Sequence, residues 1–227
     1  MRYIPRMEQG GDMLEDRLDP VVTDLARNGQ LENVFATPIF SHVLKNVEIL
    51  NSQLRELILD IEGKGPKISR SNQGGWQSAP DFFRWDKPPV TALERHVGHA
   101  INVATLRVTA KPELRFRMEL YGWAAVNRSG HYNTTHVHPM ATWSGVYYVD
   151  PGEGETDEPG GLLEFVHPVA ASVMTFFPNV LPSARVVQPK AGMLVLFPSY
   201  LQHSVRMYRG EKPRICVPFN AHLHPVG

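Results

Sequence analysis

From residue 113 onward, apolar and polar residues alternate along short runs, and no helical run lies between them. The first run covers residues 113–121, where apolar side chains alternate with charged or aromatic ones. A period of two is typical of a strand with one buried face. Later runs of this kind are separated by turn-forming residues: TWSGVYYV, GLLEFV, ARVVQ, GMLVLF, HSVRMY and RICVPFNAHL. Many short strands without helices between them predict an antiparallel sandwich or barrel.

The chain before residue 113 shows a different period. Residues 47–62 carry apolar side chains at helical spacing, and residues 88–106 do the same after an opening pair of prolines. We expect these two amphipathic helices to cover one face of a sheet. A short edge strand is predicted around Pro38. Helices followed by strands define a mainly β fold of the α+β class.

The length of 227 residues fits one large domain or two small ones. Residues 1–30 are polar and irregular, and we interpret them as a flexible N-terminal arm with one short helix that begins near Asp19. Residues 31–227 contain no repeat and no long linker. They are therefore predicted to form a single domain.

Charge and cysteine usage exclude several classes of protein. The 23 Lys and Arg residues balance 23 Asp and Glu residues, which disfavours nucleic acid as the main partner. The only cysteine, Cys216, excludes an internal disulfide and any cysteine-rich metal site. No apolar run approaches the length of a membrane span, and the N-terminus lacks the apolar core of a secretory signal. These features predict a protein of the cytoplasm with no membrane partner.

The histidines offer a candidate metal site. His136 and His138 stand two residues apart, so in a strand their side chains would leave the same face. His203 follows a strongly apolar predicted strand, and Arg214 comes eleven residues later. Three side-chain ligands leave open positions on a metal for substrate and oxygen, and an arginine beside them can bind a carboxylate through two hydrogen bonds.

The remaining histidines are assigned no role in this site. His222 and His224 repeat the same spacing, but they lie close to the end of the chain, and we expect them to form a solvated tail. The other five are interpreted as surface or structural residues: His42, His96, His99, His131 and His167.

Several motifs in a fixed order resemble a known family. They are SNQGGW at 71–76, NTTHVHP at 133–139, WSGVYY at 143–148, FPS at 197–199, and Arg214 followed by Phe219 and Asn220. This order is similar to that of the Fe(II)- and 2-oxoglutarate-dependent oxygenases. It most resembles a bacterial and phage group within their prolyl-hydroxylase-like branch. The resemblance covers residues 33–222.

The resemblance implies a double-stranded β-helix, which is a jelly-roll barrel with the metal inside one mouth. It implies that His136, His138 and His203 bind Fe(II) and that Arg214 pairs with the distal carboxylate of 2-oxoglutarate. Tyr148 matches a position that hydrogen-bonds the same carboxylate in many members. The implied reaction is hydroxylation of an unidentified small-molecule or peptide substrate by O₂, with release of succinate and CO₂.

Strand parity adds one candidate to this set. Asn220 lies six residues after Arg214, so both side chains leave the same face of a strand. We therefore predict that Asn220 contacts the substrate or the cosubstrate.

One position departs from the family pattern, since most members have Asp or Glu where this chain has His138. Two interpretations follow. In the first, His138 is a ligand, which the two-residue spacing favours. In the second, His138 stands outside the ligand set and a carboxylate replaces it, the candidates being Asp150, Glu153, Glu155 and Glu164.

Two other functions stay open at the level of the sequence. Gly130, separated by five residues from His136-x-His138, fits the start of a cupin motif, which suggests a three-histidine metalloenzyme that does not use 2-oxoglutarate. The downstream Glu of that motif is missing. The other alternative is a catalytically silent barrel with a binding or structural role. Neither the substrate nor the oligomeric state follows from the sequence, although a homodimer is the commonest arrangement of such proteins.

Overall fold

A computed structural model of the chain describes residues 30, 36–64, 68, 70–152, 160–169 and 184–226. The chain divides into a unit of residues 1–37 and a unit of residues 38–227. Every helix and strand below belongs to the second unit. The predicted helix near Asp19 lies outside the described residues, as does the predicted arm apart from residue 30.

Two α-helices and twelve strands make up the described part of the second unit. The helices are α1 (Glu48–Glu62) and α2 (Pro88–Thr109), with a 3-10 turn at Phe82–Arg84 between them. The strands are β1 (Phe40–Val43), β2 (Asn72–Gln73), β3 (Trp76–Gln77), β4 (Phe116–Gly122), β5 (Ala125–Asn127), β6 (Tyr132–His136), β7 (Trp143–Asp150), β8 (Leu163–Val166), β9 (Ala184–Val187), β10 (Met193–Pro198), β11 (His203–Val205) and β12 (Arg214–Pro225).

The strands form two antiparallel sheets. The larger has the order β1-β10-β7-β12-β5-β3, with β4 also paired to β12, and the smaller has the order β2-β6-β11-β8-β9. Strand β12 is long enough to pair with β7 along one edge and with both β4 and β5 along the other. The sheets and helices confirm the predicted jelly-roll class with helices before the strands.

Two apolar cores follow from the alternation along each strand. Tyr147 packs in the core shared with α1 and α2, whereas its neighbour Tyr148 packs in the core between the two sheets. Strand β10 divides in the same way, with Leu196 toward the helices and Phe197 toward the smaller sheet. Because successive side chains leave opposite faces of a strand, one sheet serves both cores. The space between the sheets contains the candidate site.

Helix α2 shows how the sequence fixes the helical layer. Pro88 opens the helix, where a missing N–H costs nothing. Its buried side chains recur at helical spacing and face the larger sheet: Val90, Leu93, Val97, Ile101 and Ala104. Ala110 ends the helix with a positive φ of 53°. In the described part of the chain, no helix is both long and apolar enough to cross a membrane.

Two local predictions are wrong. The run HSVRMY forms a strand only over His203–Val205, because the following residues bond to two different loops: Arg206 N donates to Leu162 O and Tyr208 N to His131 O. His222 and His224 are not a solvated tail, since β12 continues to Pro225 against β4. There His222 stacks on Tyr121, and His224 lies 3.6 Å from Glu119.

Candidate metal centre and cosubstrate pocket

The three predicted histidines come together in the smaller sheet, where β6 ends and β11 begins. His136 ends β6 and His203 begins β11, where they are direct register partners. His138 lies two residues beyond β6, in a turn held by a 3.0 Å hydrogen bond from its backbone N to Ser199 O. The candidate ligand atoms of the three side chains all lie within 4.8 Å of one another. Such spacing suits a single ion contacted by all three imidazoles.

Hydrogen bonds orient two of the rings for metal binding. His136 Nδ1 lies 2.7 Å from Thr134 O, and His203 Nδ1 lies 2.8 Å from Leu201 O. A carbonyl oxygen only accepts, so each Nδ1 carries the proton and each Nε2 keeps a lone pair. The Ser71 hydroxyl lies 3.4 Å from His136 Nε2 and can donate to that lone pair in the metal-free protein.

The third ring contacts a buried amide. Asn220 Nδ2 lies 3.4 Å from His138 Nδ1, and Asn220 Oδ1 accepts a 2.6 Å hydrogen bond from Ser144 Oγ. If a metal binds the lone pair of His138 Nε2, the ring proton is on Nδ1, which then acts as a hydrogen-bond donor. Rotating the Asn220 side-chain amide by a half-turn places its acceptor Oδ1 next to His138 Nδ1. The same rotation places Nδ2 where it can donate to the Ser144 hydroxyl. The predicted contact of Asn220 with substrate or cosubstrate stays a prediction, and its structural contact is with His138.

Neither described carboxylate alternative joins the cluster. Asp150 accepts hydrogen bonds from Arg55 Nε and Gly152 N, and Glu164 pairs with Arg206. Glu153 and Glu155 lie outside the described residues. Within the described ranges, the only group of potential ligands close enough to share an ion consists of the three histidines.

Burial keeps the three imidazoles neutral. Desolvation lowers the pKa of His203 to about 3 and that of His138 to about 4, with the neighbouring histidines adding to both shifts. Desolvation also lowers the pKa of His136. Neutral imidazole is the form that binds a metal. The cluster therefore needs no proton release when a divalent ion arrives at neutral pH.

These shifts predict a loss of stability of the metal-free protein in mild acid. Below pH about 6.5 the histidines of the unfolded chain take up protons while the folded cluster stays neutral, so the free energy of unfolding falls. Each histidine lowers the free energy of unfolding by up to about 1.4 kcal/mol for each unit by which the pH falls, until the pH reaches its folded-state pKa. Urea unfolding of chelator-treated protein at pH 7.5 and 5.5 measures this fall.

His203→Leu should reduce the fall by about one histidine's share. His99→Gln, which alters an exposed position of α2, should leave it unchanged. An equal fall in the wild type and in His203→Leu would contradict the prediction.

An inner pocket of about 60 Å³ lies between the two sheets, beside the histidines. Four buried donors that line it have no hydrogen-bond partner within the described part of the chain: Tyr148 OH, Arg214 Nε, Asn127 Nδ2 and Trp123 Nε1. Buried polar groups are almost always bonded, and an unbonded one costs about 1–3 kcal/mol. A pocket lined by unpaired donors suits a ligand rich in acceptor oxygens.

Arg214 is the strongest of these donors. Its side chain is 2% exposed, lies 5.2 Å above the Tyr148 ring, and donates to Cys216 Sγ at 3.4 Å. It forms no ion pair with any carboxylate that the structure describes. A buried cation without an anion is strongly unfavourable. The pocket is therefore complementary to an anionic group.

A glycine makes room for this arginine. Gly161 has a φ of +67°, and a Cβ added there would lie 2.9 Å from Arg214 Cδ. Any other residue at this position would meet both a backbone penalty and the arginine side chain. Gly161 is thus a packing requirement of the pocket.

Burial raises the pKa of the Tyr148 hydroxyl above its usual range, so it stays protonated. It can therefore donate to the same anionic group as Arg214.

An outer chamber of about 290 Å³ opens on the other side of the histidines. His136, His138 and Trp123 line both spaces. The Trp123 ring lies 5.9 Å from that of His138, centroid to centroid, and stands where the two spaces meet. The two spaces are thus adjacent and share these side chains as a common wall.

Sequence reasoning missed most of the pocket walls. Trp123 and Asn127 carried no motif signal because single polar or aromatic residues are common in β-rich sequences. Ser71 lies in the SNQGGW motif that supports the resemblance, but the motif alone assigned it no contact.

Comparison with solved structures defines the class of the fold. A prolyl-4-hydroxylase from Pseudomonas putida matches with a TM-score of 0.59 and 17% identity, covering 91% of this chain and 98% of that one. A prolyl hydroxylase from Trichoplax adhaerens, solved with a peptide of hypoxia inducible factor, matches at 0.54 and 14% identity, covering 89% and 87%. HygX from Streptomyces hygroscopicus, solved with nickel and 2-oxoglutarate, matches at 0.55 and 14% identity, covering 82% and 83%. The fold is that of the double-stranded β-helix oxygenases.

A family model matches part of the chain. Residues 121–220 match the family described as "Putative 2OG-Fe(II) oxygenase", and this segment contains every residue predicted for the site. No curated protein matches the chain. This segment is similar to the Fe(II)- and 2-oxoglutarate-dependent oxygenases, and the three histidines within it are spaced to hold one metal ion. This confirms the resemblance noted in the sequence.

Proposed function

We propose that this oxygenase is a hydroxylase in which His136, His138 and His203 bind Fe(II), and Arg214 with Tyr148 binds the distal carboxylate of 2-oxoglutarate. The observation that carries the proposal is the unpaired, buried guanidinium of Arg214 beside a cluster of three neutral imidazoles. The cluster supplies the metal ligands, and the guanidinium supplies the anion site.

An iron ion held by His136, His138 and His203 would supply the redox chemistry that couples oxidative decarboxylation of 2-oxoglutarate to insertion of oxygen into a C–H bond of the substrate. One O₂, one 2-oxoglutarate and one R–H give succinate, CO₂ and R–OH, so the atoms balance.

The chain's own residues bind and orient the reactants. Arg214 and Tyr148 fix one end of 2-oxoglutarate, which leaves its keto-acid end directed toward the histidines. Asn127 Nδ2 and Trp123 Nε1 are further unpartnered donors for its oxygens. The apolar walls formed by Leu163, Phe197 and neighbouring side chains keep water from the inner pocket.

Asn220 is part of the proposal as the residue that orients His138. Its amide, 2% exposed and bonded to Ser144, holds the imidazole whose position lies outside the regular strand. Backbone carbonyls perform this task for His136 and His203. The three rings are thus each held through Nδ1, which leaves Nε2 for the metal.

Turnover of 2-oxoglutarate tests the function directly. Protein purified without oxygen and loaded with Fe(II) is expected to convert 2-oxoglutarate to succinate slowly when O₂ is admitted, even without a substrate. A chelator should stop the reaction, and the readout is succinate measured by mass spectrometry.

Two outcomes would contradict the proposal. Iron-dependent oxygen consumption without succinate would favour the cupin-type enzyme that does not use 2-oxoglutarate. Protein that binds no metal would favour a catalytically silent barrel.

The relatives show two kinds of substrate for this fold. The Trichoplax enzyme was solved with a peptide, and HygX was also solved with hygromycin B, which is a small molecule. For this chain a small-molecule or peptide substrate, a cytoplasmic location and a homodimer stay predictions. The single, buried Cys216 supports the location.

A further inference from the structure

The outer chamber has an unusual charge. Its lining includes Arg70 but no Asp or Glu among the described residues. Arg70 forms no ion pair with any residue in the described ranges. Its charge nevertheless reaches the metal site, since it contributes to lowering the pKa of His138.

The backbone at Arg70 is fixed rather than loosely placed. Arg70 N donates a 2.8 Å hydrogen bond to Asn72 Oδ1, and Asn72 is 2% exposed. The Asn72 amide in turn donates to Ile68 O and to Gly75 O at 3.2 and 2.8 Å. This buried amide sets the course of the chain past the chamber, so the arginine stands at a defined point on its wall.

The charges of the proposed site leave a net positive charge beside the outer chamber. With three neutral imidazoles, the two positive charges of Fe(II) and the two negative charges of 2-oxoglutarate cancel. The guanidinium groups of Arg214 and Arg70 then remain without compensation by any described residue. In the usual ligand set a carboxylate replaces His138 and offsets one of them. Arg70 is exposed and stays hydrated, but the net positive charge beside the chamber still attracts an anionic molecule.

The size and walls of the chamber limit the molecule that brings this charge. A volume of about 290 Å³ lies at the lower end of small-ligand pockets. Trp123 offers a ring surface, and the hydroxyl of Ser71 offers a hydrogen bond. The histidines form part of the same wall, so a bound molecule lies next to the metal site.

From these observations, and on the basis of the proposed function, we propose that the substrate is a small molecule bearing a carboxylate or phosphate group, which Arg70 binds in the outer chamber.

Paired small molecules that differ only in charge test this inference. The probes are N-acetyl-L-leucine against its amide, phenylacetate against phenylacetamide, and phenyl phosphate against phenol, each at 10 mM as an order-of-magnitude excess over weak binding (about 1 mM). They are added to full-length protein loaded with Ni(II) and saturating 2-oxoglutarate, which prevents turnover. The readout is the shift in thermal unfolding temperature, followed by titration of the probes that cause a shift.

We expect shifts from anionic members and not from their neutral partners. Arg70→Gln should weaken anion binding about tenfold or more, and Arg70→Lys should retain part of it. The exposed Arg95 of α2 offers the matched control, and Arg95→Gln should bind the anions as the wild type does.

Three results would overturn the inference: no shift with any anion, equal shifts with the neutral partners, or undiminished anion binding by Arg70→Gln. If the effect of an anion disappears as the concentration of 2-oxoglutarate is raised, the anion occupies the inner pocket. That result also overturns the inference. Failure of the proposed function is seen separately, as absence of Ni(II) and 2-oxoglutarate binding before any probe is added.

Discussion

Replacement of His203 by alanine is expected to abolish metal binding and 2-oxoglutarate turnover together. The side chain is 5% exposed, its Nδ1 donates to Leu201 O, and its ring lies 4.3 and 5.1 Å from those of His136 and His138, centroid to centroid. Loss of one of three nitrogen ligands should lower Fe(II) affinity by more than about 100-fold, since even the loss of a residue behind a ligand costs 10–100-fold. The measurement is iron content after anaerobic loading and desalting, together with succinate formation.

Two variants make this result specific to the metal. His99→Ala removes an exposed histidine of α2 and should leave iron content and turnover unchanged. His138→Asp should retain iron, because it restores the ligand type of most family members, and the Asn220 amide can donate to the new carboxylate. Full iron loading of His203→Ala would show that the cluster is not the metal centre.

Replacement of Arg214 by methionine is expected to remove 2-oxoglutarate binding while leaving the metal-free fold intact. Loss of a buried charge partner typically costs 2–5 kcal/mol, so the KM for 2-oxoglutarate should rise about 100-fold or more. At the same time the methionine side chain removes a buried cation that no described carboxylate compensates. The free energy of unfolding without ligands should therefore be equal to that of the wild type or about 1 kcal/mol higher.

These two effects separate a ligand site from an ordinary ion pair. If Arg214 served only to hold the fold through a carboxylate, the variant would be less stable and its KM would change little. The direct readout is the stabilisation by 2-oxoglutarate of Mn(II)-loaded protein, which is about 2.7 kcal/mol at a hundred times the dissociation constant in the wild type. Persistence of that stabilisation in Arg214→Met would contradict the assignment.

The fold could be predicted because each of its layers has its own period in the sequence. The change from helical spacing to alternation near residue 113 separates α1 and α2 from most of the sheet strands, and the structure follows it closely. Strand ends were less predictable. His222 and His224 look like tail residues because the pairing that orders them comes from β4, a hundred residues earlier in the chain.

The site was predictable only where a motif marked it. His136, His138 and His203 were found through their residue type, spacing and resemblance, and they do converge. The expectation that His136 and His138 share a strand holds only in part, since β6 ends at His136 and Ser199 holds the turn that carries His138. Trp123 and Asn127 became visible only as donors without partners, which is a property of packing and not of sequence.

The course of β12 has a consequence for how this enzyme can vary. Arg214, Cys216 and Asn220 lie on the side facing the pockets, while Ile215, Val217 and Phe219 pack under the helices. Insertion of one residue after position 214 would exchange these two sets over the rest of the strand, placing an amide among apolar side chains and an aromatic ring beside the metal ligands. Lineages that diversify this enzyme are therefore expected to vary the loops around β12 in length, but to preserve the number of residues between its arginine and its asparagine.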